Sequence, residues 1–165
     1  MGSSCVSKPT TEENLNNITL NNYIIEALNI HNGYREKHDS PKLKINEQLN
    51  SIAQEFAKKI LDLEGKKSFP SNIFNDSAIG ENILISKKIT AQEMCQKWYD
   101  EINSYDFNLN KYQKGTGHFT QLIWKETKEV GFGFAFGKDK FCGIAIYYPA
   151  GNIIGEFSNN VNKAK

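Results

Sequence analysis

The chain has 165 residues, 20 Lys plus Arg against 19 Asp plus Glu, 39% hydrophobic residues and 3 cysteines. That length suits one domain, able to bury about two-thirds of its unfolded surface without staples, and the near-neutral balance excludes a whole-molecule field that would draw it to nucleic acid. The cysteines, Cys5, Cys95 and Cys142, are too sparse and odd in number for a secreted disulfide scaffold and point to a reducing compartment.

The amino terminus, Met1-Gly2-Ser3-Ser4-Cys5-Val6-Ser7-Lys8, carries no signal-peptide pattern, and no run is long enough to cross a membrane. Removal of Met1 would expose Gly2 for myristoylation, with Cys5 close enough to be palmitoylated. The pattern departs from consensus at Val6, where Ser or Thr is expected, and Ser7 comes one place late. One myristoyl chain binds a bilayer only marginally, so a stable anchor needs Cys5 as well, or a partner. The alternative is an unmodified polar leader. Pro9 to Asn22 is polar and Asn-rich and reads as a flexible arm, which sets an arm over 1–19 and a domain over 20–165. The sequons at Asn17 and Asn75 matter only for a chain that enters the secretory pathway.

A first helix is expected to begin near Asn22, with Ile24, Leu28, His31 and Tyr34 at helical spacing, and to stop by Asp39-Ser40-Pro41. On this reading His31 is a hydrogen-bonded structural residue and His38 a solvated turn residue. Leu49, Ile52, Ala53, Phe56, Ala57 and Ile60 form one helical stripe, which predicts a second helix ended by Gly65. The loop from Lys66 to Ala78 has no period. Thr90-x-x-Glu93 is a capping box that opens a third helix, whose apolar side is Ala91, Met94, Cys95, Trp98 and Ile102. Cys95 is there a small buried filler.

Val130, Phe132, Phe134 and Phe136 alternate with Gly131, Gly133, Ala135 and Gly137, which predicts a strand with one large and one small face. The small face allows close backbone or helix packing. Phe141 to Tyr148, after the polar turn Lys138-Asp139-Lys140, reads as its hairpin partner.

Two blocks carry most of the identity: Gly115-Thr-Gly-His118-Phe119-Thr120-Gln121-Leu122-Ile123-Trp124 and Tyr147-Tyr148-Pro149-Ala150-Gly151-Asn152. Three more stand in order before them: His31-Asn32-x-Tyr34-Arg35 with Leu43-x-Ile45, Gly80-Glu81-Asn82, and Trp98-Tyr99-x-Glu101. Together they resemble the CAP superfamily of cysteine-rich secretory, antigen 5 and pathogenesis-related-1 proteins, from about Leu20 to the end. The resemblance implies an α+β fold, a three-layer α-β-α sandwich around a mostly antiparallel sheet. Low cysteine content and Gly2 make the chain most similar to the Golgi-associated, venom-allergen-like branch without a signal peptide.

In that family a central cleft holds two histidines and two glutamates able to bind a divalent metal. Motif matching places Glu81, Glu101 and His118 at three of the four positions. The other histidine would fall about a dozen residues before Gly80, where Lys66 to Asn72 contains none and Ser68 or a neighbour takes its place. Glu101 follows Trp98 by a helical spacing on a partly apolar face, where an ionised carboxylate needs a partner. Three readings follow: an internal hydrogen-bond network, a weak site for zinc or another divalent metal on His118, Glu81 and Glu101, and hydrolase-like acid-base chemistry. No nucleophile stands beside His118 in any motif, apart from Ser68 near the cleft. No cofactor is required.

The resemblance further implies a membrane-surface module on the cytoplasmic face of the Golgi or other membranes. It would bind anionic lipid, form homodimers, and contact protein partners in trafficking or autophagy. Sterol binding in the family lies at the loop before the Gly-His-Phe-Thr block, here Tyr105, Phe107, Leu109 and Tyr112. These side chains suit a lip that is dry at one end and wet at the other, or simply pack the loop onto the third helix. The alternatives are a soluble cytoplasmic protein or a secreted sterol binder that leaves the cell by an unconventional route.

Overall fold

The computed structural model describes residues 11–62 and 73–165, with side chains described over 16–62 and 74–165. Helix α1 (Thr11–Lys37) begins eleven residues before the expected start at Asn22, so the Asn-rich segment from Thr11 onward is helical. Asparagine lowers intrinsic helicity, but tertiary contact overrides propensity. Leu20, Tyr23 and Ile24 pack on the core, and the Tyr23 ring lies 5.2 Å from Phe134 and 5.3 Å from Phe136. The exit is where the sequence puts it, with Asp39 at φ 55 just before Ser40-Pro41.

A short strand β1 (Lys44–Ile45) leads into α2 (Glu47–Asp62), on which Leu49, Ala53, Phe56, Ala57 and Ile60 are buried as the stripe requires. Gly65 lies outside the described residues. A ribbon of β2 (Ile73–Phe74) and β3 (Ser77–Ala78) precedes β4 (Gly80–Ser86). Thr90 then opens α3 (Ala91–Tyr99) with both bonds of the capping box formed. The helix ends sooner than expected, and Glu101 and Ile102 sit on a 3₁₀ turn, Asp100–Ser104. After the loop come α4 (Gly117–Ile123), β5 (Glu129–Phe136), β6 (Phe141–Tyr148) and a final turn α5 (Phe157–Asn160).

The main sheet runs β1-β5-β6-β4, parallel at β1/β5 and antiparallel at the other two pairings. Side chains alternate across it. Val130, Phe132, Phe134, Phe141, Ala145 and Tyr147 join Met94, Cys95, Trp98, Phe119 and Leu122 in one core. Cys142, Ile144 and Ile146 join the α2 stripe in the other. Gly131 and Gly133 let α2 lie directly on β5, because a Cβ on either would come within 2.1 Å of the Leu49 or Ala53 backbone. Asn50 and Gln54 fasten that contact: Phe132 N–H donates to Asn50 Oδ1 at 2.8 Å and Phe134 N–H to Gln54 Oε1 at 2.9 Å. The result is the expected α-β-α sandwich.

His31 is fully buried, as expected of a structural residue, but His38 is buried too and not solvated. The carboxyl-terminal strap covers it: His38 Nδ1–H donates to Asn162 O at 2.7 Å, and Tyr99 O–H donates to Nε2 at 3.0 Å. Burial lowers the pKa of His38 and takes that of His31 down to about 3. A histidine whose folded pKa lies below its unfolded value, about 6.5, contributes fully above that value. As pH falls toward the folded pKa the unfolded chain takes up the proton first, and stability is lost. The unfolding free energy from urea titrations should therefore fall from about pH 6.5 toward about pH 3, with a slope approaching ~1.4 kcal/mol per pH unit from His31 alone. His31→Gln should be less stable throughout but flatter over this range; a wild-type midpoint independent of pH would contradict the assignment.

Candidate functional site

Glu101 and His118 meet at the start of α4. Thr116, the residue before that helix, makes no side-chain cap; its hydroxyl donates to Gln113 O at 2.7 Å instead. The free N–H groups are met from the 3₁₀ turn. Glu101 Oε2 accepts from the N–H groups of His118 at 2.9 Å and Phe119 at 3.1 Å, and Oε1 accepts from His118 Nδ1–H at 2.7 Å. An anionic oxygen is well placed at the positive end of a helix. The carboxylate is thus an external cap that also orients the imidazole, with Trp98 stacked on its far side at 6.2 Å. Only Nε2 of His118 is left for anything else.

Behind this pair a buried polar chain crosses the core. His31 Nδ1–H donates to Ala27 O at 2.8 Å, which fixes its tautomer and leaves Nε2 to accept from Tyr147 O–H at 2.8 Å. Burial holds the Tyr147 phenol well above its ordinary pKa, so the proton stays. Asn82 Nδ2 donates both to Tyr147 Oη at 3.0 Å and to His118 O at 3.0 Å. The histidine of the first motif thus supports the backbone of the histidine in the fourth.

The last motif closes the other side. Gly151 N–H donates to Gln121 Oε1 at 2.8 Å, and a Cβ at Gly80 would come 2.0 Å from that same oxygen. Thr120 O–H donates to Asn152 Oδ1 at 2.6 Å, and Asn152 Nδ2 donates to Gly117 O at 2.9 Å. Arg35, the single arginine of the chain, is fully buried at the far end of α4. Its guanidinium donates to Pro41 O at 2.8 Å, Leu122 O at 3.0 Å, Trp124 O at 2.8 Å and Thr127 O at 2.9 Å. Burial lowers its pKa to about 10, so it stays charged at neutral pH. Ser40 O–H takes Ile123 O at 2.6 Å. Sequence reading placed Arg35 in a motif without giving it a role.

Glu81 is exposed on β4. Ser68, Gly2 and Cys5 lie outside the described residues. Tyr105 is buried and Phe107 half-buried against Phe119, at 5.7 and 6.2 Å, whereas Leu109 and Tyr112 are exposed. The loop therefore divides into an inner pair that packs and an outer pair that faces out.

Among the described residues no three His, Cys, Asp or Glu side chains gather as metal ligands. With Nδ1 of His118 held by Glu101, that pair offers one free imidazole nitrogen, which does not fit the three or four protein ligands of a zinc site. Nor, among the described residues, is a thiol nucleophile poised there. Cys95 is buried with its pKa pushed up by desolvation, and its Sγ lies 3.5 Å from His31 Nδ1, not against His118. Burial pushes the Cys142 thiol up to about 11. Glu101→Ala should cost about 2 kcal/mol in a denaturant titration, because buried N–H groups lose their acceptor. His118→Ala should cost less than about 1 kcal/mol; the reverse order would contradict the capping role.

The Cysteine-rich secretory protein family (CAP) model matches residues 28–148. The human Golgi-associated plant pathogenesis-related protein 1 is 38% identical over 140 residues, 82% of this chain and 90% of that protein. Protein PRY2 of Saccharomyces cerevisiae is 35% identical over 142 residues, 81% of this chain and 39% of its own length. Of solved structures, Schistosoma mansoni venom allergen-like protein 4 superposes with a TM-score of 0.66 at 22% identity, covering 87% of this chain and 95% of the other. NaASP2 with Zn2+ superposes with a TM-score of 0.61 at 22% identity, covering 84% of each chain. The motifs, the sandwich and these likenesses agree: the chain belongs to the CAP family.

Proposed function

We propose that this protein is a non-catalytic membrane-surface module that binds lipid, either anionic or sterol, and protein partners. The observation that carries the non-catalytic part is the engagement of Glu101: both its oxygens are taken by α4 and by His118. Held in this way, Glu101 caps a helix and orients His118, with three of the lone-pair sites of its carboxylate used.

Lipid contact is favoured by the outer half of the 105–114 loop. Leu109 and Tyr112 are 49% and 54% exposed, and the Tyr112 ring lies 6.5 Å from Phe157. Large apolar side chains exposed on one loop suit a surface that meets a membrane or a partner. Among the described residues no helix is long and apolar enough to cross a membrane, so attachment would come from this surface and from acylation of Gly2 and Cys5. The similarity to a Golgi-associated protein supports placement at such membranes; attachment to their cytoplasmic face, homodimers and trafficking or autophagy partners complete the proposal.

The test is the intact mass of the protein from its own cells. Loss of Met1 with an added myristoyl group, with or without a thioester on Cys5, is expected. An unmodified Gly2, or a glycan on Asn17 or Asn75, would sink the anchor.

A further inference from the structure

Outside the cleft, α1 and α3 bring together a second chemical unit. Tyr34 on α1 and Tyr99, the last residue of α3, stack face to face, with ring centroids 3.8 Å apart and planes 6° apart. Their hydroxyls go to different acceptors. Tyr34 O–H donates to the amide oxygen of Gln96 at 2.6 Å, whereas Tyr99 O–H donates to Nε2 of His38 at 3.0 Å. An imidazole nitrogen can take a proton near neutral pH, and an amide oxygen cannot. His38 is held in the accepting tautomer, because its Nδ1–H is committed to Asn162 O at 2.7 Å.

Exposure and charge single out Tyr99. Tyr147 also donates to an imidazole, that of His31 at 2.8 Å, but this phenol is fully buried and out of reach of a reactant in solution. Tyr99 is half-buried, so part of its side chain meets solvent. Within the stack, the Lys37 ammonium lies 5.4 Å from the centre of the Tyr34 ring and 6.0 Å from that of Tyr99. That charge opposes a positive hole on either ring. Of the two, only Tyr99 has a base on its hydroxyl, and by giving up its proton with the electron it ends neutral. We propose that Tyr99 is a one-electron redox site, nitrated by nitrogen dioxide radicals ahead of the more exposed Tyr112, with His38 as the positioned base. In the first step one nitrogen dioxide takes an electron from Tyr99 and becomes nitrite, while the phenolic O–H bond breaks and its proton passes to His38 Nε2. A neutral radical is left on Tyr99. A second nitrogen dioxide joins it at the ring carbon beside the C–O carbon: a C–N bond forms, the C–H bond there breaks with its proton going to water, and His38 returns its proton to the phenolic oxygen. The site is independent of the membrane-surface reading.

The experiment exposes the full chain to nitrogen dioxide, made by pulse radiolysis of nitrite, at sub-stoichiometric yield, and locates the nitrated residues by peptide mass spectrometry. Tyr99 is expected to lead, ahead of Tyr112, which is 54% exposed. Tyr99→Phe should remove that product. His38→Gln should cut it about fivefold or more and leave nitration of Tyr112 as it was. In deuterium oxide the Tyr99 product should form about twofold more slowly, because a proton moves in the first step. Urea midpoints report whether each variant folds; if His38→Gln does not, the isotope measurement on the wild type decides the role of the base. Nitration led by Tyr112 or by Tyr34 overturns the site. A Tyr99 product that forms equally fast in deuterium oxide, or equally in a folded His38→Gln variant, also overturns it, because exposure alone would then set the rate.

Discussion

Arg35→Leu is expected to destabilise the fold by about 4 kcal/mol or more, in the range of buried networks stripped of one partner. The guanidinium satisfies four carbonyls at once, from the exit of α1, the end of α4 and the approach to β5. Leucine fills the space but removes the guanidinium donors from all four oxygens; Trp124 O keeps the Thr127 N–H at 3.2 Å. Arg35→Lys keeps the charge, yet one ammonium with three donors cannot span a planar fork's contacts, so an intermediate loss of about 2 kcal/mol is expected. Guanidinium unfolding followed by the fluorescence of buried Trp98 and Trp124 measures both. A loss below about 1 kcal/mol for the leucine variant would show that the network is not needed.

Gly131→Ala and Gly133→Ala should be still more damaging in proportion to their size. The methyl would sit 2.1 Å from backbone carbon of Leu49 or Ala53, and helix backbone cannot swing aside as a side chain does. Either α2 lifts from β5 or the strand bends, with a cost of about 3 kcal/mol or more. Asn50 and Gln54 would lose their grip on the strand in the same movement. Gly33→Ala is the control. Nothing lies within 4 Å of its added methyl inside α1, so removing a glycine from a helix should stabilise by about 0.5–1 kcal/mol. Thermal melts of the three variants should separate in opposite directions. Tolerance at both sheet glycines would mean that α2 does not lie directly on β5.

The alternation of Phe with Gly in β5 was readable because each face has one kind of neighbour, aromatic core or α2 backbone. The α2 stripe and the Thr90 capping box were readable for the same reason, since local pattern and tertiary role coincide there. The start of α1 was not, because Asn-rich composition argues against a helix that Tyr23 then secures through contacts with Phe134 and Phe136. His38 looked like a turn residue, and it is buried by Tyr99, Phe119 and the strap at Asn162, all far along the chain. Glu101 was correctly singled out as a carboxylate needing a partner. Its role as a cap for α4 depends on a 3₁₀ turn that helical spacing does not reveal.

The most direct measurement is flotation of the full chain, wild type and His118→Ala, with vesicles containing anionic phospholipid or sterol. Equal binding by the two, with equal unfolding midpoints, is the result expected of a module whose cleft is structural and whose lipid contacts lie on its surface. Loss of binding in a folded His118→Ala variant would place the functional centre back in the cleft and contradict it.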